Sequence, residues 1–194
     1  MSDFSFYFSL GWTHIISIDA LDHLLFILAL TATYQLKDWK KVLILVTAFT
    51  IGHSITLALA TLNIINFFAE IIEFLIPLTI FITAAGNLFK KDQTSAGGTI
   101  QINYFFALFF GLIHGLGFSN FLRALLGKNE NIVSPLFAFN IGLEIGQIIV
   151  VVIFLGISFV LVDLLKISRR DLRLVLSSAI AGIALVLIKD RIFW

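Results

Sequence analysis

The chain has 194 residues, 59% of them hydrophobic and 13% charged, with a mean hydropathy of +1.04 and a formal net charge of +1. Soluble domains carry about 25% charged residues, so this composition excludes an ordinary soluble enzyme or nucleic-acid-binding domain and predicts an all-α integral membrane protein. There is no cysteine, which removes disulfides and thiolate metal ligands and leaves His, carboxylate, amide and hydroxyl groups to hold any metal.

The chain opens "MSDFSFYFSLGW", in which Phe4, Phe6, Tyr7, Phe8 and Trp12 form an aromatic cluster suited to the headgroup region. It is read as a short interfacial segment of unassigned conformation. No Lys or Arg precedes Lys37 and no small-residue cleavage site follows, so the N-terminus is expected to be retained. A bundle of six transmembrane helices is predicted beyond it, over 20–36, 42–63, 67–89, 101–122, 133–162 and 172–190, making one polytopic domain over 1–194. Nine of the thirteen basic residues fall in the loops after spans 1, 3 and 5. The positive-inside rule then predicts both termini outside the cytoplasm.

Ionisable groups inside spans cost ~2.5 to 3.5 kcal/mol each on insertion scales and so mark functional positions. All four histidines lie in or beside spans. In "HIISIDALDHLLFILAL", Asp19, Asp22 and His23 share one helical face. An unbroken helix would turn His14 to the opposite side, whereas a break near Ser17 or Asp19 would let it fold back. The second span carries His53 within "TAFTIGHSITLALATL", where Thr50, Ser54 and Thr56 are expected to fix its tautomer. The third carries Glu70 near the interface and Glu73 deeper. The fourth reads "FFGLIHGLGFSNF", with His114 among Gly111, Gly115 and Gly117. In the fifth, "FNIGLEIGQ", Asn140, Glu144 and Gln147 form one stripe of oxygen ligands, and Gly142 and Gly146 form a separate packing stripe. With the expected orientation, these groups share the outer half of the bilayer. Imidazoles and carboxylates at shared depth suit a borderline divalent cation.

The motifs "H…DHLLFILAL", "LVTAFTIGHSITLAL", "FGLIHGLGF" and "FNIGLEIGQ", in this order over roughly residues 11–150, resemble the HupE/UreJ family of small nickel permeases, in its compact branch. The resemblance implies secondary transport of Ni²⁺, with Co²⁺ as the alternative, in a prokaryotic cytoplasmic membrane. Residue by residue it implies a role for His14, Asp22, His23, His53, His114 and Glu144. Two features depart from the family pattern: the seven residues between His14 and Asp22 exceed the usual interval, and the fourth-span motif holds one histidine and no glutamate.

The full set of candidate metal-contacting residues is therefore His14, Asp19, Asp22, His23, His53, Glu73, His114, Glu144 and Gln147. The metal, Ni²⁺ or Co²⁺ with Zn²⁺ also compatible, is expected as cargo, with no permanent cofactor. Lipid is the other expected partner, and a homo-oligomer is left open. An intramembrane zinc hydrolase built on the same histidines is the rival reading. Protons compete with metal for imidazole, so affinity is expected to fall below about pH 6.5.

Overall fold

The computed structural model describes residues 3–17, 20–90, 99–126 and 132–194, the side chains of 99–102 aside. Its helices are α1 (Asp3–Ile16), α2 (Leu21–Thr31), α3 (Trp39–Thr61), α4 (Ala69–Phe89), α5 (Thr99–Leu126), α6 (Val133–Phe159) and α7 (Arg169–Asp190). No strand occurs among the described residues. A 3-10 turn at Leu36–Asp38 leads into α3, and a π-helical turn at Val160–Leu164 extends α6.

Five helices are long and apolar enough to cross a membrane, and α1 with α2 passes the same test as one broken span, bent by 65°. The six-span bundle expected from hydropathy is therefore present, with one difference. The aromatic N-terminal segment is a helix of the bundle, packed along α6. Alone, the 11 residues of α2 would rise only ~16 Å, about half a hydrocarbon core. Counted as one span with α1, the first span would start well before residue 20.

Three helix pairs organise the bundle. Between α1 and α6 the close points advance together along both chains, Gly11 with the Phe139 carbonyl and Gly146 with Ile15, so these helices run parallel. The same holds for α3 and α5, from Phe49 against Gly111 to Arg123, whose Nη2 donates to the Ala60 carbonyl at 2.6 Å. Lipid supplies no hydrophobic drive between helices, so close backbone approach through small residues provides the packing. A Cβ on Gly11 or Gly142 would land on an α6 or α1 carbonyl, and one on Gly52, Gly111 or Gly115 would land on a carbonyl across the α3–α5 seam. Thr56 reinforces that second seam by donating to the Leu112 carbonyl at 2.7 Å.

The third pair, α4 and α7, is antiparallel. Phe74 meets Trp194 at one end, with ring centroids 5.1 Å apart, and Lys90 neighbours Arg173 at the other. Burial, with help from Arg173, holds the Lys90 ammonium below the ordinary lysine range. The apolar interior falls into two clusters. One contains Phe26, Phe49, Phe110 and Ile76, and the other contains Ile15, Leu57, Phe139 and Leu143. Large apolar side chains such as Phe105, Phe137 and Val152 face outward, as a lipid-facing perimeter requires.

Candidate metal centre

The imidazoles collect where the two apolar clusters meet. His23 opens α2 and its ring centroid lies 4.6 Å from His14, 5.7 Å from His53 and 5.3 Å from His114. The chain break between α1 and α2 brings this about. With α1 and α2 at 65° to each other, the last turn of α1 returns His14 to the face that an unbroken helix would have turned away. Ligand nitrogens of His14, His23 and His53 all lie within 4.8 Å of one another. Nitrogens bound to one ion at ~2.1 Å lie roughly 3 to 3.5 Å apart, so small side-chain rotations close this set onto a cation.

Two of the rings are oriented by defined partners. The His114 Nδ1 is 2.9 Å from the Phe110 carbonyl one turn earlier, which fixes the proton on Nδ1 and leaves Nε2 as a lone pair. The Asp22 carboxylate does the same for His23. Its Oδ1 lies 3.0 Å from His23 Nδ1 and also accepts the His23 backbone N–H at 2.9 Å. A carboxylate behind an imidazole is the arrangement that orients metal-binding histidines and raises their basicity.

The nitrogens left over have no hydrogen-bond partner among the described residues. His14 Nε2, His23 Nε2, both nitrogens of His53 and His114 Nε2 are buried without a hydrogen bond. Each orphaned buried polar atom costs about 1 to 3 kcal/mol, so five in one locus is a strong departure from ordinary packing. Phe26 and Phe49 border His114, both with centroids 5.2 Å away, and Phe118 lies 4.1 Å from His14. Aromatic faces exclude competing water while offering no hydrogen-bond acceptor. The centre is a buried cluster of imidazoles bordered by aromatic rings, a donor set that suits a borderline transition metal.

A family model described as HupE / UreJ protein matches residues 1–191, essentially the whole chain. The chain belongs to the HupE/UreJ family. HupE/UreJ proteins are permeases, and the family implies a metal ion, nickel or cobalt, as substrate. No curated protein and no solved structure gives a match.

The remaining candidate positions of this HupE/UreJ chain are distributed unevenly. Glu144 Oε1 accepts from Thr47 at 2.8 Å in a half-exposed groove between α3 and α6. Gln147 is buried, its Oε1 accepting from Thr50 at 2.7 Å while its Nε2 has no partner. These two form a polar step beside the cage and are not members of the three-histidine set. Asn140, on the same stripe, keeps a buried Oδ1 without a partner. Glu73 is exposed, and it is its backbone carbonyl that is engaged, by Arg191 Nη1 at 3.2 Å. Asp19 lies outside the described residues.

The hydroxyls expected to orient His53 are occupied elsewhere. Thr50 serves Gln147 and the Val46 carbonyl, Ser54 the Thr50 carbonyl, and Thr56 the Leu112 carbonyl. Buried helical hydroxyls satisfy themselves on the preceding turn, and this wins over a neighbouring ring. Sequence reasoning missed the aromatic cage and Arg191. The first had a readable signal: "FTIGH" places Phe49 four residues before His53, and "HGLGF" places Phe118 four residues after His114. Arg191 had none.

Proposed function

We propose that this HupE/UreJ chain is a secondary transporter of Ni²⁺, with Co²⁺ and Zn²⁺ as alternative cargoes, and that His14, His23, His53 and His114 are its selecting site. The observation that carries this reading is the convergence of His14, His23 and His53 nitrogens within 4.8 Å in a chain of a permease family. In this reading both termini face away from the cytoplasm of a prokaryotic cytoplasmic membrane, because the basic loops lie after spans 1, 3 and 5. Asp19 and Asp22 raise the local concentration of hydrated cation at the outer mouth. The imidazoles replace its water, with Asp22 also steadying His23. Gln147 and Glu144 then receive the ion on its way inward, Glu144 supplying the charge that draws a divalent cation off neutral ligands. The ion is cargo, so the protein needs no resident cofactor.

An intramembrane zinc hydrolase would use the same imidazoles, and family membership favours carriage over hydrolysis. Calorimetric titration of the purified protein with NiCl₂, CoCl₂ and ZnCl₂, followed by uptake of each ion into proteoliposomes, tests the proposal. Saturable binding with net uptake of Ni²⁺ is expected. Binding of none of the three, or binding without uptake of any, would refute it.

A further inference from the structure

The Asp22 carboxylate has two oxygens with different surroundings. Oδ1 is committed to His23 through the ring and the backbone, whereas Oδ2 faces Arg191 Nη1 at 3.7 Å. A cation beside the carboxylate of a cation site is electrostatically unexpected. It is also held there by a specific device. Pro77 lies inside α4 and has no N–H, so the carbonyl four residues earlier, that of Glu73, is released from the helix ladder. Arg191 Nη1 takes that carbonyl at 3.2 Å. The residues after it, Phe193 and Trp194, pack on Phe74 of the same helix, with ring centroids at 6.2 and 5.1 Å. The guanidinium is therefore tethered to α4 and leans on Asp22.

The two contacts are unequal. The Glu73 carbonyl is within hydrogen-bond distance, while 3.7 Å to Asp22 is an ion pair without a hydrogen bond. Moving the guanidinium off Asp22 breaks no hydrogen bond and leaves its tether intact. The Arg191 side chain is 30% exposed and Asp22 only 14%, so the arginine lies on the solvent side of the carboxylate. A metal ion approaching from that side meets Arg191 before Asp22.

We propose that Arg191 is an exchangeable counter-charge at the mouth of the metal centre: it neutralises the Asp22 carboxylate when the cage is empty and moves off Oδ2 when a divalent cation arrives, leaving the carboxylate's charge to balance the ion through His23. It is a positioning residue and does not touch the ion. Its presence weakens the held state, which lets the cage release its cargo. This rests on the transport reading above.

The test uses the full-length protein in detergent, titrated with NiCl₂ by calorimetry, in five forms: wild type, Arg191→Gln, Arg191→Lys, Asp22→Asn, and Arg191→Gln combined with Asp22→Asn. Loss of one competing charge is expected to lower the Ni²⁺ Kd of Arg191→Gln about tenfold, and in proteoliposomes to lower KM and kcat together. Arg191→Lys keeps the charge and should stay near wild type, and in the Asp22→Asn background the Arg191→Gln effect should vanish. A merely structural arginine would give the opposite sign, weaker binding on removal. Unchanged or weaker binding by folded Arg191→Gln overturns the proposal. So does equal tightening by Arg191→Lys, or tightening that persists without Asp22. Should Arg191→Gln not fold, Arg191→Met takes its place and must tighten Ni²⁺ binding to the same extent, unchanged or weaker binding again overturning the proposal. A wild-type protein that binds no Ni²⁺ removes the transport reading itself, an outcome distinct from wild-type binding that Arg191 does not modulate.

Discussion

Replacing Asp22 by Asn isolates the contribution of a carboxylate that orients a ligand instead of acting as one. The side chain keeps its shape and an oxygen that can accept from His23 Nδ1 and the His23 backbone, contacts that stand at 3.0 and 2.9 Å in the native protein. What is lost is charge behind the imidazole. Removing such an outer partner typically lowers metal affinity 10- to 100-fold, or roughly 1.4 to 2.7 kcal/mol. A loss within that range is expected here, because the amide still accepts from His23 Nδ1 and the His23 backbone N–H while the charge behind the ring is gone. Titration calorimetry with NiCl₂ measures the loss. X-ray absorption at the nickel edge of the loaded variant should show an unchanged imidazole shell, since the ligands themselves stay. An Asp22→Asn protein that binds nickel as the wild type does would refute the orienting role. A shell that loses an oxygen scatterer would make Asp22 a direct ligand.

Four further outcomes follow from the geometry. His14→Ala should weaken nickel binding as severely as His23→Ala or His53→Ala, because the three nitrogens share one 4.8 Å locus, and calorimetry giving wild-type affinity for His14→Ala would remove it from the site. Glu144→Gln keeps the hydrogen bond from Thr47 but not the charge, so metal should still bind while uptake into proteoliposomes nearly stops; wild-type uptake would reduce Glu144 to a structural group. Gly115→Ala drives a methyl into the His53 carbonyl and the Thr56 hydroxyl, and the resulting overpacking should cost about 1 to 3 kcal/mol, read as a lower Tm together with weaker metal binding. Because the native chain has no cysteine, single Cys substitutions of Ser95 and Asn129 should label from the cytoplasmic and outer sides respectively, and the reverse pattern would invert the proposed orientation.

The spans were legible because lipid imposes a length: the run around His53 meets it with no charge, and the run 133–162 with Glu144 as its single charged residue. α1 was not legible for the same reason. Its aromatics alternate with Ser, Asp and Gly, so hydropathy alone reads an interface anchor. It is the glycine contacts with α6, invisible without the partner helix, that make it part of the bundle. The histidines could be recognised as a set by type and depth, and the break near Ser17 was visible as a condition for including His14. That the condition is met depends on α1 docking to α6, a long-range contact. Glu73 looked deep by counting residues. The proline at Pro77 leaves the Glu73 carbonyl free of the helix ladder for Arg191 to engage, while the side chain is exposed. Arg191 sits beyond the last span, and nothing in its neighbours announces Asp22 as its counterpart.

The two glycine seams also determine where this bundle is stiff. Backbone packed directly on backbone, as at Gly11 with Phe139 and at Gly115 with His53, leaves no side chain to re-rotamer, so each seam moves as a unit. Between the two units the connections are of another kind: Thr47 to Glu144, Thr50 to Gln147, and ring faces such as His53 on Phe139. Hydroxyl rotors and aromatic faces slide at small cost. The four imidazoles are divided across this compliant boundary, His14 riding with α6, His53 and His114 with α3 and α5, and His23 on the short α2. A shear of an ångström or two along it would change how many nitrogens can reach one ion. In the proposed site, the number of nitrogens available to an ion would thus be coupled to the relative position of the two seams.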